Sequence, residues 1–280
     1  MRPTYYPSYE RFKEMVGKGN IIPVYRQLLA DTLTPVSAFK KISSAGHAFL
    51  LESAAGGEKM ARYSFLGVRP FIELSCHGYQ MEITRNGEKE RFETDDPIGA
   101  LEKEIERFSP VAVDGLPYFS GGAVGYFSYD TVRYIEELPQ NTTDDLKLPD
   151  ILFMFFDSVI IFDHQDKIIK VIANAFLDGK GTDSESAYKE ATRRIDALVD
   201  MLHTPVQSVS GDITTDGRFD RKFSSNFNKG DFLRAVDRCK EYIRAGDVFQ
   251  VVLSQRLGLK TEANPLDIYR ALRVINPSPY

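Results

Sequence analysis

The sequence contains no tryptophan and only two cysteines among its 280 residues. Cys76 and Cys239 form no CxxC pair and lack the spacing of a secreted disulfide scaffold, so we expect two reduced packing residues. The four histidines lack the HxxxH and HExxH spacings of zinc sites. These features argue against a redox centre and against a metal site built from histidine or cysteine.

Long apolar runs and basic blocks are missing as well. No run approaches the roughly 18 apolar residues that a membrane-spanning helix needs, and the first residues lack the apolar core of a signal peptide. The 35 basic and 40 acidic side chains give a formal net charge of -5, with no basic block to attract nucleic acid or an anionic membrane. We therefore expect a cytoplasmic protein that binds a small molecule, with no nucleic-acid or membrane partner.

Generic catalytic and nucleotide-binding motifs are also missing. The chain has no GxxxxGK[ST], no GxGxxG after a strand, no GxSxG and no catalytic triad pattern. One glycine-rich stretch, Gly121 to Gly125, leads into Phe127 to Asp130 instead of a helix start with lysine. We expect tight backbone packing or a turn in a sheet at these glycines, in preference to a phosphate-binding loop.

The patterns that are present favour an α+β fold, mainly antiparallel sheets with flanking helices. Alternation of apolar and polar residues from Phe71 to Glu93, around Asn86 and Gly87, is typical of a type I′ hairpin, because both turn residues tolerate positive φ. Short β-branched and aromatic runs predict further strands at 20–26, 48–51, 151–156, 159–162 and 168–172. Amphipathic spacing predicts helices at 9–16, 34–42, 97–108 and 186–202.

Two of these helices have specific start signals. Thr34 is placed to be an N-cap with Pro35 in the first turn, where the N–H that proline lacks is not needed. Thr182 and Glu185 form a candidate capping box for the helix at 186–202.

The chain becomes polar and rich in turn residues after His203. We interpret 206–226 as a linker between an N-terminal domain, 1–205, and the start of a second domain, 227–280. A domain of about 50 residues is below the size at which one core is comfortably stable. Either these elements pack onto the first domain or the chain is a fragment. We expect the second domain to be incomplete and the chain to be a fragment.

The second part has its own pattern of elements. An apolar stripe predicts a helix at 229–245, and Gly246 is placed to end it in a left-handed conformation. A strand at 248–253 and a helix at 265–274 follow. If the strand forms, the side chain of Gln250 lies on the face opposite Phe249 and Val251, so that it can line a cavity.

Five segments resemble a known family in wording, order and spacing. They are Leu50-Leu51-Glu52-Ser53, Arg62-Tyr63-Ser64-Phe65-Leu66-Gly67 with Pro70, the stretch Gly121 to Asp130, the stretch Gly246 to Arg256, and Asn276-Pro277-Ser278-Pro279-Tyr280. Together they resemble anthranilate synthase component I, the large chorismate-binding subunit, over essentially the whole chain.

The resemblance implies an allosteric L-tryptophan pocket, in which the first and last segments meet. The residues that it assigns to the pocket are Glu52, Ser53, Asn276, Pro279 and Tyr280. Their chemistry suits the ligand, because a carboxylate and a hydroxyl receive an ammonium group, while proline and tyrosine offer flat apolar walls to an indole. On the residues alone, the first segment is equally well a strand end and the last a helix stop.

Gln250 is the one catalytic position that the resemblance places in this chain. In relatives that add water to chorismate the matching residue is a lysine, whereas a glutamine amide does not titrate near neutral pH and only orients a partner. Gln250 therefore favours the members that use ammonia, unless it is a surface glutamine.

The resemblance also implies the reaction, the cofactor and the partner. Ammonia attacks the chorismate ring, the hydroxyl leaves, and loss of pyruvate gives anthranilate, which makes the enzyme a lyase of tryptophan biosynthesis. Mg²⁺ holds the carboxylate, on residues that follow Tyr280 in the family, so we expect no metal ligands in this chain and no activity of the chain alone. The ammonia comes from a glutamine amidotransferase subunit, component II, in a heterotetramer.

Two alternatives remain open at this point. The large subunit of aminodeoxychorismate synthase, an enzyme of the folate pathway, shares the fold and has a glutamine at the position of Gln250. A tryptophan-binding regulatory module without catalysis is an alternative of another class.

Overall fold

A computed structural model describes residues 3–52, 62–85, 87–177, 183–205 and 222–278 of the chain. It divides into two compact units. The first contains residues 1–209 and 277–280, and the second contains residues 210–276. Most of the predicted linker at 206–226 lies outside the described residues. Within the described ranges, no helix has the length and hydropathy of a membrane span.

The described residues of the first unit form ten strands in two five-stranded antiparallel sheets. The first sheet has the order β1-β10-β9-β3-β2, and the second has the order β6-β5-β4-β8-β7. The strands are β1 (Ile21–Leu29), β2 (Ala48–Glu52), β3 (Tyr63–Val68), β4 (Ile72–His77), β5 (Gln80–Arg85), β6 (Glu88–Glu93), β7 (Gly122–Phe127), β8 (Ile151–Phe156), β9 (Ser158–Asp163) and β10 (Ile168–Phe176). The predicted α+β class with mainly antiparallel sheets is confirmed.

Both faces of the first sheet are covered, which explains why β9 and β10 are almost continuously apolar. One face carries Leu66, Ile160 and Val171 and packs against helices, while the other carries Phe65, Ile161 and Ile172. The chain passes from the second sheet into the first through a single residue, Asp157, between β8 and β9.

In the described part of the first unit, four α-helices flank the sheets. They are α1 (Tyr9–Lys13), α2 (Pro35–Ile42), α3 (Pro97–Glu106) and α4 (Ser184–His203). Short 3₁₀ segments occur at Ser43–Ala45 and Tyr129–Tyr134. Helix α4 lies on the first sheet and buries the side chains of Ala191, Ile195 and Leu202.

Several local signals are confirmed in detail. Thr34 accepts a hydrogen bond from the backbone N–H of Ser37, and Pro35 lies in the first turn of α2. Strands β5 and β6 pair with Arg85 opposite Glu88, and Gly87 in the loop between them has a φ of 85°. Asn86, the other residue of the predicted turn, lies outside the described residues.

The predicted capping box at the start of α4 is wrong. The N-cap is Asp183, whose carboxylate accepts hydrogen bonds from the backbone N–H groups of Glu185 and Ser186. Asp183 is a good N-cap because its carboxylate accepts hydrogen bonds from two helix N–H groups that have no partner within the helix. The helix therefore begins after Asp183 and not after Thr182. Thr182 itself lies outside the described residues.

Strand β1 extends beyond the predicted segment at 20–26, and Pro23 lies inside it. Because β1 is the edge strand of its sheet, it accommodates a residue that cannot donate a backbone hydrogen bond.

The described part of the second unit, from residue 222, contains two helices, α5 (Lys229–Ala245) and α6 (Pro265–Ile275), and a short ladder between β11 (Ser224–Ser225) and β12 (Leu257–Gly258). Gly246 ends α5 in the predicted left-handed conformation, with a φ of 82°. None of the described residues of this unit is buried.

The predicted strand at 248–253 is wrong, because these residues form neither a strand nor a helix. A strand exists only through hydrogen bonds to a neighbour, and the ladder in the described part of this unit joins β11 to β12 alone. Phe249 and Val252 are 95% and 82% exposed, so no described residue covers these two side chains. An apolar run is therefore insufficient here without a strand to pair with.

Candidate functional site

Glu52, the first candidate residue of the tryptophan pocket, is the last residue of β2. It continues the face of Ala48 and Leu50, which pack on the helix-covered core of the first sheet. Its side chain is buried, with 7% of the residue exposed. A carboxylate in that position must be oriented by polar neighbours, because burying a charge without them is costly.

Two polar residues lie beside Glu52 on this face. Ser64 of β3 is directly opposite Glu52 in the antiparallel ladder and is 2% exposed. The Ser64 Oγ and the His164 Nε2 are 2.8 Å apart, within hydrogen-bond distance. The His164 ring is also stacked against Phe162, with 6.4 Å between the ring centroids. The end of β2 and β3 thus carries a carboxylate, a hydroxyl and an imidazole at the margin of an apolar core.

The opposite face at the same end of the sheet carries a buried ion pair. The guanidinium of Arg62 donates hydrogen bonds of 3.1 and 2.8 Å to the carboxylate of Asp163, which is completely buried, and one of 3.0 Å to Asp166. Lys170 is also buried and donates to the backbone carbonyl of Gly115 at 2.7 Å. Its Nζ lies 3.9 Å from the Asp163 carboxylate.

These contacts set the protonation of Asp163. Burial alone would raise the pKa of its carboxyl, but hydrogen bonds from Arg62 and from the Asp166 backbone N–H, with the charges of Arg62 and Lys170, hold that pKa below its usual range. The carboxylate therefore stays ionised at neutral pH and fixes the turn that carries His164.

The other candidates for the tryptophan pocket are placed only in part. Asn276 follows α6 in the second unit, where it is exposed and donates its backbone N–H to the Leu272 carbonyl at 2.8 Å. Ser53, Pro279 and Tyr280 lie outside the described residues. The meeting of the two segments therefore stays a prediction.

Gln250, the candidate substrate-orienting residue, is exposed and lies outside any strand. The prediction that Gln250 lies on the polar face of a strand required a strand at 248–253. Since that strand is not present, this prediction is wrong as well. Its role rests on the family resemblance alone and stays a prediction.

The glycine-rich stretch forms part of a sheet, as the preference for close packing over a phosphate loop predicts. Gly121 and Gly122 have φ values of 145° and 126°, a region that L side chains rarely adopt. Gly125 lies so close to β8 that a Cβ there would overlap the Leu152 carbonyl oxygen and lie 2.7 Å from the Phe153 Cα. The glycines thus allow β7 to approach β8.

A cleft of about 820 Å³ lies elsewhere in the first unit, beside Tyr134 and Asp150. The Tyr134 hydroxyl is 2.6 Å from the Gly78 carbonyl and 3.1 Å from the Asp150 carboxylate, so it closes the wall of the cleft. Burial raises the pKa of the Tyr134 phenol, with further contributions from Cys76 and Asp150. The cleft contains none of the predicted site residues, and its walls give no reason to assign it the chorismate chemistry.

Magnesium, the cation that the resemblance implies, takes oxygen ligands such as carboxylates. The described ranges contain no group of three or more histidine, cysteine, aspartate or glutamate side chains that could hold a metal ion.

Sequence reasoning missed the polar set around Asp163 and the contact between Ser64 and His164. A usable signal was present, because Asp163 and His164 end an otherwise apolar run that begins at Val159. Their partners Arg62 and Ser64 lie about a hundred positions away in sequence, and no local pattern connects them.

Comparison with known proteins agrees with the resemblance. The sequence profile of chorismate binding enzymes matches residues 46–280. Anthranilate synthase component 1 of Acetivibrio thermocellus is 40% identical over 279 residues, which cover 99% of this chain and 56% of that protein. The same protein of Synechocystis is 40% identical over 282 residues, which cover 98% of this chain and 55% of that protein.

A solved structure is similar as well. The crystal structure of anthranilate synthase component I from Streptococcus pneumoniae matches with a TM-score of 0.64 and 27% identity, over 90% of this chain and 53% of that one. The chain spans about half the length of the curated relatives that it matches. On the match of the profile to most of its length, the chain belongs to the family of chorismate-binding enzymes.

Proposed function

We propose that this chain belongs to the large subunit of an anthranilate synthase, which converts chorismate and ammonia to anthranilate and pyruvate. The observation that carries the proposal is the 40% identity to anthranilate synthase component 1 over 99% of the chain. Gln250, where water-adding relatives have lysine, supports ammonia as the nucleophile, because a glutamine amide orients a partner but does not remove a proton from water.

The whole protein would act with a second component in the cytoplasm. The name component 1 of the relatives fits a partner that supplies ammonia from glutamine, and we propose a glutamine amidotransferase subunit in a heterotetramer. Mg²⁺ belongs to the proposed reaction as a hard cation for the substrate carboxylate, on residues that follow Tyr280 in the family.

The regulatory half of the proposal is feedback inhibition by L-tryptophan. Glu52 would receive the ammonium group, with Ser53 beside it and Asn276, Pro279 and Tyr280 closing the pocket. The burial of Glu52 supports this role, because a partly desolvated carboxylate binds an ammonium more strongly than an exposed one does.

Genetic complementation tests the catalytic half. The gene that carries this chain should restore growth without tryptophan to a bacterium that lacks its own anthranilate synthase large subunit, with anthranilate detected by its fluorescence. Rescue of a strain that lacks the aminodeoxychorismate synthase large subunit, without rescue of the tryptophan auxotroph, would instead assign the chain to the folate pathway. Rescue of neither strain would leave a regulatory module without catalysis.

The role of Gln250 has a matched control in Gln255, a second exposed glutamine of the same segment. Gln250→Ala should lower anthranilate formation at saturating chorismate, whereas Gln255→Ala should retain it. Equal activities of the two variants would remove Gln250 from the site.

A further inference from the structure

One segment of the first unit covers a sheet face without being a strand of either sheet. Residues 110–120, which we call the strap, lie between α3 and β7 in sequence. The strap packs against the face of the first sheet that carries Phe65 and Ile172. The apolar side chains that make this contact are Val113, Leu116 and Phe119.

The strap has little backbone attachment of its own. Within the described ranges, residues 111–120 make two hydrogen bonds to other backbone groups. The Val111 N–H donates to the Ile21 carbonyl at 2.8 Å where the strap begins, and the Leu116 N–H donates to the Val113 carbonyl at 3.3 Å inside the strap. A strand of a sheet is instead held by a whole ladder of such bonds. The strap is therefore held on the sheet mainly by side chains.

Three side chains of the first sheet donate hydrogen bonds to backbone carbonyls of the strap. Lys170 and Asn174 alternate with Ile172 along β10 and project to the same face, and Tyr25 of β1 is directly opposite Ile172. The three bonds are those from the Tyr25 hydroxyl to Asp114 at 3.2 Å, from the Lys170 Nζ to Gly115 at 2.7 Å, and from the Asn174 Nδ2 to Ser120 at 3.1 Å.

Lys170 makes the strongest of the three bonds. Its bond is the shortest and has a charged donor, and such bonds contribute more than bonds between neutral groups. The residue is 5% exposed, and a buried ammonium is costly unless polar groups satisfy it. The Asp163 carboxylate lies further away, at 3.9 Å, and already accepts hydrogen bonds from Arg62. The Gly115 carbonyl is therefore the closer partner of this ammonium.

Two glycines let the strap lie close to its donors. Gly115 and Gly121 have φ values of 82° and 145°, and a Cβ on Gly115 would lie 2.9 Å from the Tyr25 hydroxyl. Small residues of this kind suit hinges, because they absorb changes in φ and ψ. A cleft of about 510 Å³ also lies along the strap, lined by Pro23 of β1 and by strap residues that include Leu116. Packing on that side of the strap is therefore incomplete.

We propose that the strap is a latched segment, which leaves the first sheet as a unit while both sheets stay folded, and that Lys170 is the latch. Opening breaks side-chain hydrogen bonds and apolar contacts, but no pair of either sheet ladder. Segments with few backbone hydrogen bonds and few buried contacts open in this way below the cost of global unfolding. The strap continues directly into β7 through Gly121, so Lys170 is a positioning residue for β7. This inference does not depend on the proposed function.

Phe119→Trp supplies a probe of the strap, because the chain contains no other tryptophan. The Phe119 ring packs edge-to-face against Phe65, with 5.4 Å between the ring centroids, so an indole at this position reports the loss of that contact. Lys170→Met in this background keeps the length of the side chain and removes the ammonium. The equilibrium constant for opening should rise about tenfold, the equivalent of one lost hydrogen bond from a charged donor. Indole emission should shift to longer wavelength and be quenched more strongly by acrylamide.

The matched control is Lys41→Met in the same background. Lys41 also donates to backbone carbonyls, those of Leu202 and Thr204, but not to the strap. It should leave the indole emission unchanged. Lys170→Arg, which keeps a charged donor, should lie closer to the parent than Lys170→Met does. Tyr25→Phe, which removes a longer bond with a neutral donor, should have a smaller effect than Lys170→Met.

Urea titration distinguishes opening of the strap from unfolding of the sheets. In the Lys170→Met variant, the indole emission should change at a lower urea concentration than the circular dichroism signal, because non-coincident transitions indicate a separate step. Coincident transitions would show that the strap does not open as a unit. An emission that Lys170→Met alters no more than Lys41→Met does would remove Lys170 as the latch.

A second probe covers the case in which Phe119→Trp does not fold. Leu116→Cys in a Cys239→Ser chain gives one reactive thiol in the strap, since Cys76 is buried. Lys170→Met should increase the rate at which a thiol reagent labels this cysteine, and Lys41→Met should not. Equal labelling rates for the two variants would overturn the proposal.

Discussion

Arg62 and Asp163 form a bidentate ion pair across β3 and the end of β9, with the carboxylate completely buried and the guanidinium reaching the surface. The pair lies on the face of the sheet opposite Glu52 and Ser64. It fixes the turn after β9 from which His164 reaches the Ser64 hydroxyl. The ion pair and the contact between His164 and Ser64 are therefore connected through one turn.

Arg62→Ala should destabilise the first unit markedly, because it leaves a buried carboxylate without its main hydrogen-bond donor. Lys170 does not replace it, since its Nζ is 3.9 Å away and already donates to Gly115. Thermal unfolding followed by circular dichroism should show a midpoint lowered by several degrees. Arg91→Ala, which breaks an exposed ion pair with Glu82, should leave the midpoint almost unchanged. Equal midpoints for the two variants would contradict the role of the buried pair.

The Asp163 carboxylate should also make the fold sensitive to acid. Its pKa in the folded chain is held below the unfolded value of about 3.9. The ionised form therefore stabilises the fold above that pH, and the contribution is lost as the pH falls through the folded-state pKa. Asp163→Asn should be less stable than the wild type at neutral pH, and the difference in urea midpoint between the two should shrink below about pH 4. A difference that stays constant with pH would mean that the charge contributes nothing.

Gly125→Ala should disrupt the pairing of β7 with β8. The added Cβ would overlap the Leu152 carbonyl oxygen, and neighbouring backbone does not move aside as a flexible side chain does. We expect the free energy of unfolding to fall by about 3 kcal/mol, the upper end of the range for overpacked cores. Gly230→Ala, where the nearest atom to the new Cβ is the end of an arginine side chain at 3.5 Å, is the matched control and should be tolerated. The free energy of unfolding of both variants is measured in urea. A value for Gly125→Ala equal to that of the wild type would contradict the close approach of these strands.

The sequence predicts well the parts of the fold whose signals are local. The β5–β6 hairpin with Gly87, the start of α2 at Thr34 and the end of α5 at Gly246 each depend on residues within one turn of the chain. The apolar runs at 151–156, 159–162 and 168–172 also form the predicted strands, because covered sheets require such runs wherever they occur.

The parts that fail or are missed depend on distant partners. The run at 248–253 has strand-like composition, but forms no strand without a pairing neighbour among the described residues. The set of Arg62, Ser64, Asp163 and His164 joins two segments that only the fold brings together. Glu52 and Gln250 were found through the family resemblance, since no local pattern distinguishes them from an ordinary strand end and an ordinary surface glutamine.

Binding of L-tryptophan to the 280-residue chain tests the central claim most directly. The chain has no tryptophan, so the ligand supplies the only indole emission in the sample. Titrating the protein into a fixed concentration of L-tryptophan should shift and change that emission in a saturable way, with a matching heat of binding by calorimetry. An emission that protein does not alter, together with no measurable heat, would contradict the assignment of a tryptophan pocket to this chain.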